Sequence, residues 1–460
     1  MKQLKFTLLA SFITILCSSA LYGAEITKGH VPPPDSSSSI MDRTAALYLI
    51  EEGKEFFNQG MVKDAMRKFR EAYVRDKFSY KAAYWIGETH YEMDNYGYAL
   101  KYAKIAERLS EAAEGEVFLL LGKAYHRQSY LDSASMNYDL AKIQLSSRKQ
   151  NVFNIQQLID EVKFAKNAKK DTSNFERKLL GDYVNSGHND YAVTLFNDGK
   201  ELFFVSRRPG TTGGNINPSD QQYFEDIYYS KWDDETKEWT SPTNDVKHLN
   251  SDGFDAIGDV SKDGNTAYLT VNTSVIETKN PTRSSDICVS ERTKKDRWST
   301  PKPIKNKTIN TSFFDGAPTL TADGNTMYFV SDRNGDKTRA DIFVVYKDGN
   351  KWGEAKALPS IINSKGNETT PFITPDNRYL FFSSDGYVGM GGYDIYVSEN
   401  LGNEWSKPKN LGPVFNTVNN DTHFKYYKAL KKAVLSTYRL QDNKASMDAF
   451  EIMLDGWEIP

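Results

Sequence analysis

The sequence predicts an α + β multidomain chain: a helical solenoid of three helix pairs with a capping helix, followed by a five-bladed β-propeller closed by a strand from residues 175–186. Three observations predict it. Glycine and alanine recur in one register at a period of 34–35 residues between residues 41 and 142. An Asp-Ile dipeptide, a tryptophan and an Asn-Ser/Thr pair then recur together every 53–60 residues. Finally, the last of these units lacks an outer strand, while a lone outer-strand signature precedes the first.

Ahead of the repeats, residues 1–24 read as a signal peptide. Lys2 and Lys5 supply the positive end, and Phe6 to Leu16 supply a short apolar run. That run is shorter than the ~20 residues a membrane span takes. No later segment is long and apolar enough, so the mature chain is expected to have no transmembrane span. Cleavage falls at Ser18-x-Ala20 or Gly23-Ala24; the alternative is a lipid on Cys17, where Leu16 departs from the small residue that the bacterial lipoprotein pattern wants. The expected location is therefore exported, periplasmic or associated with an outer membrane. Residues 25–40, with VPPPDSSSS at 31–39, read as a flexible linker. Composition closes off other classes. A net charge of −3 with 39% hydrophobic residues excludes a disordered chain or a basic nucleic-acid binder. Cys17 and Cys288 alone cannot form a disulfide scaffold or a cysteine metal site.

The helical domain is placed at residues 41–170. Gly53, Gly87 and Gly122 form one series, Ala65, Ala99 and Ala134 a second, and Ala72, Ala106 and Ala141 a third. Each steps by 34 and then 35 residues, so the extra residue falls in the loop near Ser110–Gly115. Small residues at fixed points let paired helices approach closely, and Leu49, Phe56, Phe69, Tyr125 and Tyr138 fill the space between. Ile155, Leu158, Ile159 and Val162 lie at helical spacing and predict a capping helix over 154–169. This pattern resembles the tetratricopeptide repeat, whose length is 34 residues. The resemblance implies a concave groove lined by the first helix of each pair. The corresponding partner-binding candidates are Lys54, Phe57 and Asn58, then Lys81, Tyr84, Glu88 and Tyr91, then Lys123, His126 and Arg127.

The β domain is placed at residues 172–460. Runs such as Glu201–Ser206, Thr326–Ser331 and Tyr379–Ser384 follow tight turns at Asp198-Gly199, Asp323-Gly324 and Asp376-Asn377. Asp226, Asp286, Asp341 and Asp394 each precede isoleucine, with Asp448-Ala449 as a degenerate fifth. Trp239, Trp298, Trp352 and Trp405 follow, and then Asn250, Asn310, Asn363 and Asn416. Four strand signals per unit make propeller blades. A fifth Asn-Ser, Asn185-Ser186, stands before the first unit, and the final unit has three strands. Residues 175–186 thus complete the last blade and remove two sheet edges. These units resemble the TolB-type, WD-repeat-like propeller. Ser206–Gly214 followed by Tyr223–Tyr228 is similar to a group in Bacteroidetes-type bacteria that joins tetratricopeptide repeats to this propeller. The resemblance implies an envelope role, since related chains continue into an OmpA-like peptidoglycan-binding domain or serve type IX secretion. This sequence stops at Pro460, so no such domain is expected.

No H-E-x-x-H, nucleophile elbow or phosphate loop is present, and the five-fold aspartates read as turn-capping groups. Ser261–Thr266 and Thr321–Thr326 superficially resemble the Asp-boxes of sialidases, but Asp-Gly explains them as hairpin turns. The expectation is a protein–protein interaction scaffold that is not an enzyme and holds no cofactor or metal. A carbohydrate- or peptidoglycan-binding propeller is the alternative, and a divergent propeller hydrolase comes third. Insertions at Arg208–Tyr223 and Val271–Ser285 share one propeller face. Arg207, Arg208, Arg283 and Arg333 would place positive charge there for an envelope protein or an anionic cell-wall polymer.

Overall fold

The computed structural model describes residues 38–110, 112, 114–168, 175–217, 220, 222–246, 248–272, 285–294, 297–334, 339–441 and 444–460. The expected signal peptide, Cys17, nearly all of the linker and Arg283 lie outside them. Six helices form three hairpins: α1 (Ile40–Asn58) with α2 (Val62–Arg75), α3 (Tyr80–Glu92) with α4 (Tyr96–Leu109), and α5 (Gly115–Arg127) with α6 (Leu131–Gln144). A one-and-a-half-turn helix, α7 (Ser147–Val152), precedes α8 (Ile155–Ala168). Ser39 and Ser79 cap α1 and α3 by accepting from Asp42 N and Ala82 N. The repeated alanines are fully buried. The repeated glycines are there for close approach: a Cβ on Gly122 would stand 2.5 Å from Tyr138 Cδ1, and one on Gly53 would strike the Phe69 ring. No helix among the described residues is long and apolar enough to cross a membrane.

The five blades follow. The chain enters them through β1 (Arg177–Leu179). Blade 1 is β2 (Asp190–Phe196), β3 (Glu201–Ser206), β4 (Asp226–Asp233) and β5 (Glu238–Trp239). Blade 2 is β6 (Phe254–Val260), β7 (Thr266–Asn272), β8 (Asp286–Glu291) and β9 (Lys302–Pro303). Blade 3 is β10 (Asp315–Leu320), β11 (Thr326–Ser331) and β12 (Asp341–Asp348), with β13 (Lys351–Trp352) and β14 (Lys356–Ala357) both pairing β12. Blade 4 is β15 (Glu368–Ile373), β16 (Tyr379–Ser384), β17 (Asp394–Glu399) and β18 (Lys409–Asn410). Blade 5 is β19 (Asp421–Tyr427), β20 (Lys432–Gln441) and β21 (Lys444–Met453), and its outer strand is β1. Arg177, Lys178 and Leu179 pair antiparallel with Ile452, Glu451 and Phe450, so the ring closes as the sequence predicts.

The repeated side chains explain themselves as ring hardware. In every blade the asparagine grips the main chain of the residue after the repeated aspartate. Asn250 accepts from Ile227 N and donates to Ile227 O at 2.8 and 2.9 Å. Asn310, Asn363 and Asn416 do the same to Ile287, Ile342 and Ile395, and Asn185 does so to Ala449. These clamps replace ladder bonds where the outer strand is too short to supply them. The next residue, serine or threonine, donates twice to an acid four positions on: Asp190, Asp255, Asp315, Glu368 and Asp421. Four of those acids open the inner strand of the following blade, Asp255 is the second residue of its own, and all five are fully buried.

Each inner strand also carries a β-bulge toward the ring axis. Within four of the bulges a non-glycine residue takes a left-handed backbone: Ala192, Ala317, Thr370 and His423, with φ between 46° and 56°. A β-branched threonine there is strained. The strain lies at the centre of the ring, where bulges re-aim side chains into the channel.

Candidate functional site

The solenoid sits on the propeller face that carries the blade-to-blade connections. Arg127 Nη1 donates to Val418 O at 2.8 Å, and its Nε donates to the Tyr91 hydroxyl. His126 Nε2 donates to Met390 O at 2.8 Å. Burial pushes the His126 imidazole down to about 3, so it docks as the neutral ring. Ala445 N donates to Asp94 O, and Gln157 Nε2 donates to Asp385 O. Tyr91 and Tyr96 share one buried cluster with Tyr438, Ala445 and Met447 of blade 5. Helix α8 packs Ile159 and Val162 in one cluster with Met390 and Val418, so it caps the solenoid and joins it to blade 4. Gly391, at φ 136°, allows the contact: a Cβ there would meet the His126 ring at 2.9 Å.

This docking divides the groove residues. His126 and Arg127 belong to the interface with the chain's own propeller. Glu88 is buried, accepts from the Tyr84 hydroxyl at 2.9 Å and pairs with Lys123 Nζ at 3.4 Å. Lys123 in turn lies 4.4 Å over the Tyr91 ring. Phe57 is buried against Phe69 and Trp85 and belongs to the core. Asn58 and Lys81 are exposed, and Lys54 is half-buried over Trp85. The groove is thus open over α1 and the first half of α3 and committed to the propeller at the ends of α3 and α5.

The arginines picked for positive charge do internal work. Arg207 is 3% exposed and forks onto Asp220 at 2.8 and 3.1 Å, tying the first insertion to its blade. Arg208 donates to Asp190 Oδ1, Val184 O and Ser206 Oγ, all at 2.7 Å. Arg333 is its equivalent on Asp315, Ile309 O and Ser331 Oγ. Arg177 reaches Asp421 from the closing strand. A buried carboxylate needs such a partner. Burial raises Asp255 and Glu368, which lack such an arginine, to about 7, and it raises Asp421 as well against the pull of Arg177.

At the ring centre lies a cavity of about 110 Å³. Glu225, from the loop before β4, and Tyr191, on β2, line it and are 2% and 0% exposed. The Tyr191 hydroxyl and the Glu225 carboxyl interact with one another across the cavity wall, and among the described residues neither Glu225 Oε1 nor that hydroxyl has a further hydrogen-bond partner. Burial raises Glu225 to about 7, against the opposing pull of Arg207. On the far wall Lys425 Nζ donates to Thr194 Oγ1 and Gly258 O, both at 2.5 Å. Burial lowers Lys425 to about 8, with Asp259 holding it up. His423 lies tilted beside Tyr191 with ring centres 5.4 Å apart and is pushed by burial to about 3. Sequence reasoning passed over this cluster. Its signal is a break in the repeat: the residue before the recurring aspartate is Glu225, Ser285, Ala340, Tyr393 and Met447 in turn.

No family model and no curated protein sequence matches the chain. Solved structures similar to its two parts include the first tetratricopeptide domain of Spaghetti (RPAP3) bound to an HSP90 peptide. It is 16% identical with a TM-score of 0.24, over 27% of this chain and 95% of that one. For the propeller they include a Trypanosoma rangeli sialidase in complex with sialic acid, 13% identical with a TM-score of 0.37, over 62% of this chain and 59% of that one. They also include the α-L-arabinofuranosidase PaAbf62A of Podospora anserina, 10% identical with a TM-score of 0.36, over 60% and 95%. The expectation that the chain is not an enzyme is corrected by these glycoside hydrolases, because missing sequence motifs do not exclude catalysis on a propeller frame. At such identities the likeness concerns the fold alone and assigns no activity, substrate or catalytic residue to this chain.

Proposed function

We propose that this chain is a protein-interaction module of the bacterial cell envelope, with the open half of its groove as the partner-binding surface. The carrying observation is the division of the groove. Its α5 end is fixed to the propeller through His126 and Arg127, while Lys81 and Asn58 remain exposed and Lys54 half-buried on α1 and α3. Half-buried Tyr84 and Trp85 lie between these polar groups and offer flat apolar area. Such a surface suits an extended peptide whose carboxylates meet Lys54 and Lys81. The envelope location rests on the signal-peptide pattern of residues 1–24. Related roles, outer-membrane or secretion-system assembly, belong to the same reading. Affinity purification of the full chain from native envelopes tests it, with K54E/K81E as the comparison. The reading expects a co-purifying protein whose retention drops by about tenfold in the double variant. Undiminished retention in a variant with unchanged circular dichroism would refute the groove.

A further inference from the structure

We propose that the N-terminal face of the solenoid is an interface between two copies of this chain, with α1 packed antiparallel on α1 of a second copy about a two-fold axis at Thr44. The proposal does not depend on the groove reading. Along α1, Ile40, Met41, Leu47 and Tyr48 are 74, 83, 50 and 67% exposed, and Val74 at the end of α2 is 72% exposed. Large apolar side chains gathered on one face mark an association site. At the other end of the array the corresponding face is closed by α8, whose Ile155, Ile159 and Val162 share a cluster with Leu131 and Tyr138. Among the described residues nothing does this for α1. Residues 25–39 hold only Ile26 and Val31 as large aliphatic side chains, too few to serve as that cap.

The pattern on α1 is its own complement. Ile40 and Tyr48 lie four residues to either side of Thr44, and Met41 and Leu47 lie three to either side. A two-fold axis at Thr44 therefore sets Ile40 on Tyr48 and Met41 on Leu47 of the second copy, twice over. Thr44 and Ala45 at the crossing are small, so the helix axes can approach. The Thr44 hydroxyl already donates to Ile40 O at 2.9 Å, so burying it strands no donor. Charge agrees with the same arrangement. The first turn carries Arg43 and, from α2, Arg75 against the single acid Asp42. Beyond the apolar stretch Glu51 and Glu55 outnumber Lys54, while Glu52 is matched by Lys68. Antiparallel packing brings the acidic end of each helix to the basic end of the other. Covering the five side chains removes roughly 600 Å² of apolar surface per copy, and a polar rim supplies the rest of the ~800 Å² per partner of a stable interface.

Sedimentation equilibrium of the full chain between about 1 and 200 µM tests the interface. The expected result is a monomer–dimer equilibrium with a Kd of about 1–50 µM. Met41→Glu and Tyr48→Glu change exposed positions and leave the fold alone. Each should weaken the dimer by about a hundredfold, because a two-fold interface feels every substitution twice. Glu51→Arg or Arg75→Glu alone should also weaken it, and the two together should recover most of the loss. Lys81→Glu, a change in the groove, should leave it intact, so the two surfaces can fail separately. A monomer at about 200 µM, or association that Met41→Glu and Tyr48→Glu leave untouched, would overturn the interface. A monomer in which Met41→Glu speeds amide exchange at the start of α1 would give this face to the chain's own residues 25–37 and overturn it as well.

Discussion

Replacing Asn185 by alanine asks whether the ring depends on its borrowed strand. The side chain makes two bonds to one residue, donating to Ala449 O at 2.9 Å and accepting from Ala449 N at 2.7 Å. Ala449 is fully buried, so its amide has no water to turn to. Its carbonyl keeps a second donor, Leu180 N at 3.1 Å. The substitution thus removes two hydrogen bonds and strands one donor, about 2–4 kcal/mol in all. Asn310→Ala makes the same lesion at Ile287, with one further bond lost to Ile304 O, between blades that are continuous in sequence, and serves as the reference. Six of the seven tryptophans lie in the propeller, so urea unfolding followed by tryptophan fluorescence reports on the ring. With a slope of about 3 kcal/mol/M, both variants should lower the midpoint by about 1 M. The open edge of β21 should also make Asn185→Ala the more aggregation-prone of the two. A normal midpoint for Asn185→Ala beside a full shift for Asn310→Ala would refute the closure.

Four further outcomes are expected. Arg333→Met leaves the Asp315 carboxylate buried without its cation and should destabilise by about 3–5 kcal/mol, whereas K351M, at an exposed position, should be nearly silent by the same urea assay. Gly122→Ala drives a methyl into the Tyr138 ring and should lower solenoid stability by about 1–3 kcal/mol, read by helical circular dichroism. Two buried acids should each contribute stability that falls as pH rises, against the opposite contribution of the buried histidines His126 and His423. Asp255 and Glu368 titrate near 7 in the fold but near 4 when unfolded, so the folded state binds more protons between those values. Their contribution is intact below about pH 4, declines through pH 7 and is then flat, and Asp255→Asn should flatten the slope of melting temperature against pH. Arg127→Ala removes the bonds to Val418 O and Tyr91 and should raise proteolysis between solenoid and propeller without changing the content of either.

The ring was legible because its hardware is repeated. Asn185, Asn250, Asn310, Asn363 and Asn416 do one job, once each, and a job done once per blade leaves a period in the sequence. The closing strand was legible for the same reason, since Asn185 kept its register although β1 spans only three residues. The docking of solenoid on propeller was not legible. His126 and Arg127 look like groove residues by spacing, and nothing local announces that Met390 O and Val418 O lie across from them. The arginines misled for a related reason. Arg208 and Arg333 stand in an exposed-looking Ser-x-Arg turn, yet each reaches an acid 18 residues away in sequence that burial leaves in need of charge. Glu225 was missed because attention to the repeated Asp226 hid its unrepeated neighbour.

The most direct measurement is amide exchange at Ala445. This amide, at the tip of the β20–β21 hairpin, bonds outward to Asp94 O of the solenoid at 3.0 Å. If the helices rest on the blades in solution, it should exchange at least about a hundredfold more slowly than an open hairpin amide, and Arg127→Ala should speed it. Exchange at the open rate, with the middle of β21 still protected, would mean the two parts do not dock and the groove is free along its whole length.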